Sequence, residues 1–231
     1  MWDLEMHEIL KGEQTMTKLE MAKRIDHTLL KPDATAAQIE RLCAEAVEHR
    51  FCSVCVNSGR AALAKQCIAG SDVRLCVVVG FPLGCSVTKA AEAAAMAALG
   101  ADEIDMVLDV GRAKDGDWEA VEADIRAVRA ACPNQVLKVI LETCLLTESE
   151  IVRACQASKA AGADFVKTST GFSTGGAKTE DVALMKRSAG GLLVKASGGI
   201  HNYSEAKTML DAGADRIGAS AGIMILAGME D

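Results

Sequence analysis

Eight short runs rich in Val, Ile, Leu and Cys alternate along this chain with longer, alanine-rich stretches of helical periodicity. The runs are 25–30, 53–57, 75–81, 103–109, 137–143, 165–170, 192–197 and 216–219. Helices are predicted between them, over 35–49, 88–99, 118–131, 148–160 and 203–212. The tripeptide Gly-Ala-Asp stands at 100–102, 162–164 and 213–215, each time just before a strand. Its glycine stops the helix and turns the chain back into the sheet. Strands that alternate with helices in this way must pair in parallel, and eight such units predict a closed (β/α)8 TIM barrel. The alternative is an open doubly wound sheet. The barrel is preferred because polar residues interrupt several strands and no Gly-x-Gly-x-x-Gly follows the first. Residues 1–20 are expected to form an extra N-terminal helix across the barrel's N-terminal end. Residues 1–231 read as one domain.

Half of the residues are hydrophobic, enough for a sizeable core. A net charge of −7 provides no basic field for nucleic acid. The nine cysteines are odd in number and scattered through apolar runs, which predicts free thiols in a reducing compartment. Cys52-x-x-Cys55 lacks the second pair of a zinc ribbon and reads as two small hydrophobes. Residues 1–16 lack a signal-peptide core, and the alanine-rich stretch 90–99 is too short to span a bilayer. These features predict a cytoplasmic protein with no membrane partner.

Charged residues inside apolar strands are the strongest chemical signal. Lys167 lies in Asp-Phe-Val-Lys-Thr-Ser-Thr-Gly (164–171), and Lys195 lies in Leu-Leu-Val-Lys-Ala-Ser-Gly-Gly (192–199). Strand alternation turns both lysines into the barrel if Val166, Thr168, Val194 and Ala196 face the helices. Two ammoniums about 4 Å apart at an effective dielectric near 20 repel by about 4 kcal/mol. That would push one of the pair toward its neutral, nucleophilic form by roughly three pKa units. Asp105, Glu103, Lys138 and Glu142 also interrupt strands, and Lys138 is expected to pair with Asp105 or Glu142. His27 follows Asp26, but adjacent strand residues face opposite sides, so His27 reads as structural. His7, His49 and His201 read as surface or loop residues, and no metal-ligand spacing is found.

Glycines close three successive strands: Gly171, then Gly198 and Gly199, then Gly218 with Ser220. Backbone amides at the ends of strands seven and eight commonly cradle phosphate in barrels. An anionic substrate is therefore expected there, with Thr168 as a further contact.

At these residues the chain resembles the deoxyribose-phosphate aldolase family. The matching stations run from Ile-Asp-His-Thr-Leu-Leu-Lys-Pro (25–32) to Gly-Ala-Ser-Ala-Gly (218–222). Between them stand Ser-Val-Cys-Val-Asn (53–57), Val-Val-Gly-Phe-Pro-Leu-Gly (78–84), Ala-Asp-Glu-Ile-Asp-Met-Val (101–107), Leu-Lys-Val-Ile-Leu-Glu-Thr (137–143), Phe-Val-Lys-Thr-Ser-Thr-Gly-Phe (165–172) and Val-Lys-Ala-Ser-Gly-Gly-Ile (194–200). The resemblance implies a class I aldolase on a (β/α)8 barrel, cleaving 2-deoxy-D-ribose 5-phosphate to D-glyceraldehyde 3-phosphate and acetaldehyde with no metal or other cofactor. The expected scissile bond is C3–C4. The resemblance further implies Lys167 as the Schiff-base lysine, Lys195 as the second amine that perturbs it, Asp105 in proton relay and Lys138 as its charged neighbour. Cys55 would line the substrate pocket, and Gly171, Gly198, Gly199, Gly218 and Ser220 would hold the phosphate. A homo-oligomer is expected, with a dimer favoured. Phe172 and Ala221 replace a lysine and a serine of some members, which shifts phosphate binding toward backbone amides and Lys178. The only tyrosine is Tyr203, so the proton-transfer tyrosine of some members' C-terminal tails has no counterpart in residues 1–231.

Overall fold

The computed structural model describes residues 16–230. Eight parallel strands close a barrel in chain order, each paired with its sequence neighbours and the eighth with the first. The strands are β1 (Ile25–Leu29), β2 (Ser53–Asn57), β3 (Arg74–Val79), β4 (Glu103–Val107), β5 (Val136–Ile140), β6 (Phe165–Lys167), β7 (Leu193–Ser197) and β8 (Arg216–Ala219). The helices are α1 (Lys18–Ala22), α2 (Ala36–His49), α3 (Ala61–Cys67), α4 (Lys89–Leu99), α5 (Val110–Lys114), α6 (Trp118–Ala131), α7 (Glu148–Ala160), α8 (Thr179–Ser188), α9 (Tyr203–Asp211) and α10 (Gly222–Ala227). The N-terminal helix expected over 1–20 lies largely outside the described residues, and α1 covers only the end of that range and two residues beyond. Several strands stop short of their apolar runs at the C-terminal end. There the chain leaves the ladder, as where Gly80 and the cis Phe81–Pro82 bond follow β3.

Local sequence sets the helix boundaries. Thr17, Thr35 and Thr147 each form a capping box with Glu20, Gln38 and Glu150, so two orphan amides are satisfied at each start. α2 buries Ile39, Leu42, Cys43 and Ala46, the i, i+3, i+4, i+7 stripe of a helix lying on a sheet. The Gly-Ala-Asp repeat does more than stop helices. Its glycines take φ of +95°, +83° and +110°. Its aspartates Asp102, Asp164 and Asp215 each accept the backbone N–H of the preceding strand, from Leu75, Leu137 and Val194, all at 2.8 Å. The repeat thus pins β4 to β3, β6 to β5 and β8 to β7, and fixes their register.

Alternation splits the buried residues into two environments. Val54, Val56, Val77, Val79, Ile104, Met106, Val139, Val166 and Val194 face the helices and join the continuous apolar layer. The opposite parity holds Asp26, Glu103, Asp105, Lys138, Lys195 and Arg216 inside the ring, beside a small separate apolar cluster of Leu30, Cys55, Cys76 and Val78. TIM barrels usually fill this space with branched aliphatic residues. Here it is filled with charge, which is tolerated only when the charges pair.

Candidate active site

The interior charges form one connected network. Asp105 on β4 is its hub. Its Oδ1 lies 2.7 Å from Lys138 Nζ, and its Oδ2 accepts from both Lys167 Nζ and Lys195 Nζ at 2.9 Å. Lys138 also reaches Glu103 Oε2 at 2.5 Å. Lys195 lies 2.5 Å from Asp26 Oδ2, close but poorly aligned for a hydrogen bond. Asp26 Oδ1 accepts from Arg216 at 2.6 Å and from Ser53 Oγ at 2.7 Å. Strand register produces this layer, since Asp105 stands opposite Lys138, and Lys167 opposite Lys195. Four cations therefore meet three carboxylates among these buried groups.

The charges set one another's protonation. Burial alone would raise the Asp105 carboxyl, but Lys138, Lys167 and Lys195 outweigh it and hold it well below the usual carboxylate range. Asp26 is lowered likewise, against burial, by Lys195, Arg216 and Lys138. Burial would lower Lys195, yet Asp105 and Asp26 win and raise it, so it stays an ammonium. The bare repulsion expected between two lysines is thus modified. Both lysine nitrogens touch one carboxylate oxygen, and attraction to it offsets the repulsion between two charged amines.

Above the network lies a cavity of about 370 Å³ at the C-terminal ends of the strands. Lys167 is the one member of the network that lines it. Lys138, Lys195 and Asp105 lie beneath, fully buried. Gly171, Gly198, Gly199, Gly218 and Ser220 line the cavity. Gly218 has a second duty, because a Cβ there would lie 2.9 Å from Lys195 Cε and 3.0 Å from Ser197 Cβ. Its absent side chain makes room for the lysine.

Several sequence-based expectations change. Cys55 is buried beneath the site and does not line the cavity; its thiol is lowered chiefly by a hydrogen bond from Cys76. Thr168 faces away from the cavity. Its hydroxyl donates to Ser197 O and accepts from Ser197 N, both at 3.0 Å, and so bridges β6 to β7. Lys178 is exposed at the start of α8 and is not in the cavity wall. Glu142 does not pair with Lys138 but bonds Thr170. His27 contacts Glu45 at 2.9 Å and packs on Phe51, away from the barrel interior, as a structural residue would.

Sequence reading missed Asp26 and Arg216 as network members, and Lys31 and His201 as cavity-lining groups. The parity of Asp26 within β1 was the available signal; Lys31 and His201 sit in loops, where no periodicity reports direction. Cys55, Cys76 and Asp105 place three potential ligand atoms within 4.8 Å of one another. Lys138 Nζ stands 3.4 Å from Cys76 Sγ and 2.7 Å from Asp105 Oδ1, so two of these three atoms already contact an ammonium.

Residues 20–229 match the model of the DeoC/LacD family of aldolases. The chain belongs to this family. A deoxyribose-phosphate aldolase of Finegoldia magna is 56% identical over 213 residues, covering 91% of this chain and 100% of the relative. A solved structure from Coccidioides immitis superposes with a TM-score of 0.89 at 40% identity, covering 98% of this aldolase and 95% of its own chain. A tetrameric deoxyribose phosphate aldolase of Aeropyrum pernix gives a TM-score of 0.80 at 33% identity, covering 91% of each chain. No helix among the described residues is long and apolar enough to cross a membrane.

Proposed function

We propose that this aldolase reversibly cleaves 2-deoxy-D-ribose 5-phosphate to D-glyceraldehyde 3-phosphate and acetaldehyde through a Schiff base on Lys167. The observation that carries the reading is a single lysine at the floor of an open cavity, backed by a buried carboxylate that it shares with a second lysine. The close deoxyribose-phosphate aldolase relatives support the substrate.

In this mechanism the free amine of Lys167 adds to the C1 aldehyde of the open-chain sugar. Loss of water from the carbinolamine gives an iminium ion. With Lys167 entering as the free amine, the remaining three buried cations balance the three carboxylates. The iminium charge then forms next to Asp105, 2.9 Å from the nitrogen in the resting state, where a fixed anion stabilises it at little reorganisation cost. Acetaldehyde carries two carbons, so the bond that breaks is C2–C3, not C3–C4, and it is the C3 hydroxyl that gives up its proton. The electron pair passes into the iminium to form an enamine. Protonation at C2 and hydrolysis then release acetaldehyde and restore Lys167.

Asp105 does not line the cavity and is a weak base, so its part is to stabilise the positive charge that develops at Lys167 Nζ. Lys195, held as an ammonium by Asp105 and Asp26, supplies fixed positive charge beside Lys167 Nζ, which favours the neutral amine there. The iminium is the electron sink, so the mechanism calls for no added cofactor or metal. Gly198, Gly199, Gly171 and Ser220, with Lys31 and His201, are proposed to receive the phosphate. We also read the chain as one domain and as a cytoplasmic homo-oligomer, with a dimer expected. The nine free thiols support the compartment.

Reduction with borohydride in the presence of acetaldehyde tests the reaction. The peptide containing Lys167 should carry an ethyl group in place of one amine hydrogen, a net gain of C2H4, and Lys167→Ala should lose both the label and turnover. An unlabelled peptide would refute the Schiff base. Turnover persisting in Lys167→Arg would favour a non-covalent isomerase.

A further inference from the structure

Glu142 is a buried carboxylate that the proposed mechanism leaves unused. It follows β5 with φ of +58°, in the left-handed region that residues with a side chain rarely adopt. Such outliers persist where the surrounding structure holds them, often beside functional sites. Glu142 is 3% exposed, and among the described residues it pairs with no cation. An ion taken out of water without a counter-ion is costly unless it is well hydrogen-bonded.

Apart from Cys144 Sγ, which donates to Glu142 Oε1 at 3.9 Å, its partners lie on the wall of the cavity. Both carboxylate oxygens accept from Thr170 N at 3.3 Å, and Thr170 Oγ1 donates to Oε2 in a short contact. Thr170 Oγ1 accepts in turn from Phe172 N at 3.0 Å. Thr170, Gly171 and Phe172 line the cavity, whereas Glu142 does not. The far end of the same β6–α8 loop is tied to β7, where Ala177 N donates to Gly198 O at 3.0 Å. Across the mouth, the Phe172 ring meets Phe81 edge-on at 5.3 Å. The loop is therefore held at both ends, and Glu142 is the clamp nearer to Lys167.

We propose that Glu142 is a positioning residue: by bonding the backbone and hydroxyl of Thr170 it fixes the 170–172 wall against which the phosphorylated half of the substrate lies. The lysine end of the site stands apart from this clamp, since Lys167 is anchored by Asp105. The inference rests on the aldolase reading, and it separates the two halves of the substrate. Acetaldehyde needs only Lys167, whereas the full sugar phosphate also needs the wall.

Two measurements on Glu142→Leu and Glu142→Gln test it: steady-state kinetics with deoxyribose 5-phosphate, and borohydride trapping of acetaldehyde alone. Glu142→Leu should raise KM about tenfold with kcat changed less than about threefold, while trapping stays within about twofold of the parent. Glu142→Gln keeps an acceptor for Thr170 and should recover most of the KM. Should the leucine variant not fold, Glu142→Asp, too short to reach both donors, should show the same rise in KM. An unchanged KM in a folded leucine or aspartate variant would overturn the proposal. So would trapping that falls in step with affinity, or a glutamine variant as impaired as leucine. A parent enzyme that fails to trap acetaldehyde would instead overturn the aldolase reading itself.

Discussion

Asp105→Asn isolates the charge network from the shape of the barrel, because the two side chains have nearly the same volume. Three lysine nitrogens sit within 2.9 Å of the Asp105 carboxylate. At an effective dielectric near 20, each such contact is worth about 6 kcal/mol of gross attraction. Most of that is offset by the cost of taking the ions out of water, and breaking a buried pair costs a net of about 3–5 kcal/mol. The substitution also turns one oxygen into an NH2 group aimed at an ammonium. For a chain of this size each kcal/mol lowers the melting temperature by about 2–4 °C, so a fall of roughly 6–20 °C is expected. Calorimetry and urea titration would measure it, with the urea m-value unchanged because the same surface is exposed. A second change supplies the decisive comparison. Lys138→Met removes one of the stranded cations, so Asp105→Asn with Lys138→Met should be more stable than the two single losses predict, by at least about 1 kcal/mol. A melting temperature within about 2 °C of the parent, or strict additivity, would refute the view that the interior is held by paired charge.

Other outcomes follow from the same geometry. Lys195→Leu removes a fixed charge beside Lys167 and should lower kcat for acetaldehyde release by about 10²–10³-fold, and a loss under about fivefold would remove that role from Lys195. Gly218→Ala should cost about 1–3 kcal/mol and slow acetaldehyde trapping, because the new methyl displaces the Lys195 stem; unaltered stability and trapping would contradict the close approach. Asp26 and Asp105 are held below the usual carboxylate range, so the stability they contribute is present above about pH 4 and is lost as pH falls through their native values. Urea midpoints should therefore hold between about pH 7 and 5 and drop below about pH 4, less steeply in Asp105→Asn; equal slopes would mean that other groups govern acid unfolding.

Much of the architecture was legible before any coordinates, because it is written in local periodicity. Val166 and Val194 report a helix-facing parity, and that parity turns Lys167 and Lys195 inward whatever else the chain does. Gly100, Gly162 and Gly213 mark the same turn three times. The second duty of that repeat was not legible, since which amide Asp102, Asp164 and Asp215 reach depends on where the neighbouring strand lies. Thr168 was misassigned for a related reason, since proximity in sequence to a reactive lysine does not say whether a side chain opens to the cavity or bonds the next strand. Cys55, placed in the pocket by the resemblance alone, lies beneath the floor because only the folded strands decide its depth.

The sequence by itself therefore determined the order of strands and helices, the closed parallel ring and the pair of lysines inside it. These depend on which residues are apolar and on a two-residue alternation, both properties of a short stretch of chain. Only the tertiary structure decided how the charges are shared: that Asp105 lies between the two lysines, that Asp26 joins from β1 and Arg216 from β8, and that of this network Lys167 alone opens to the cavity. Electrostatic energy depends on distance and solvent access between residues up to 190 positions apart, and folding alone sets those.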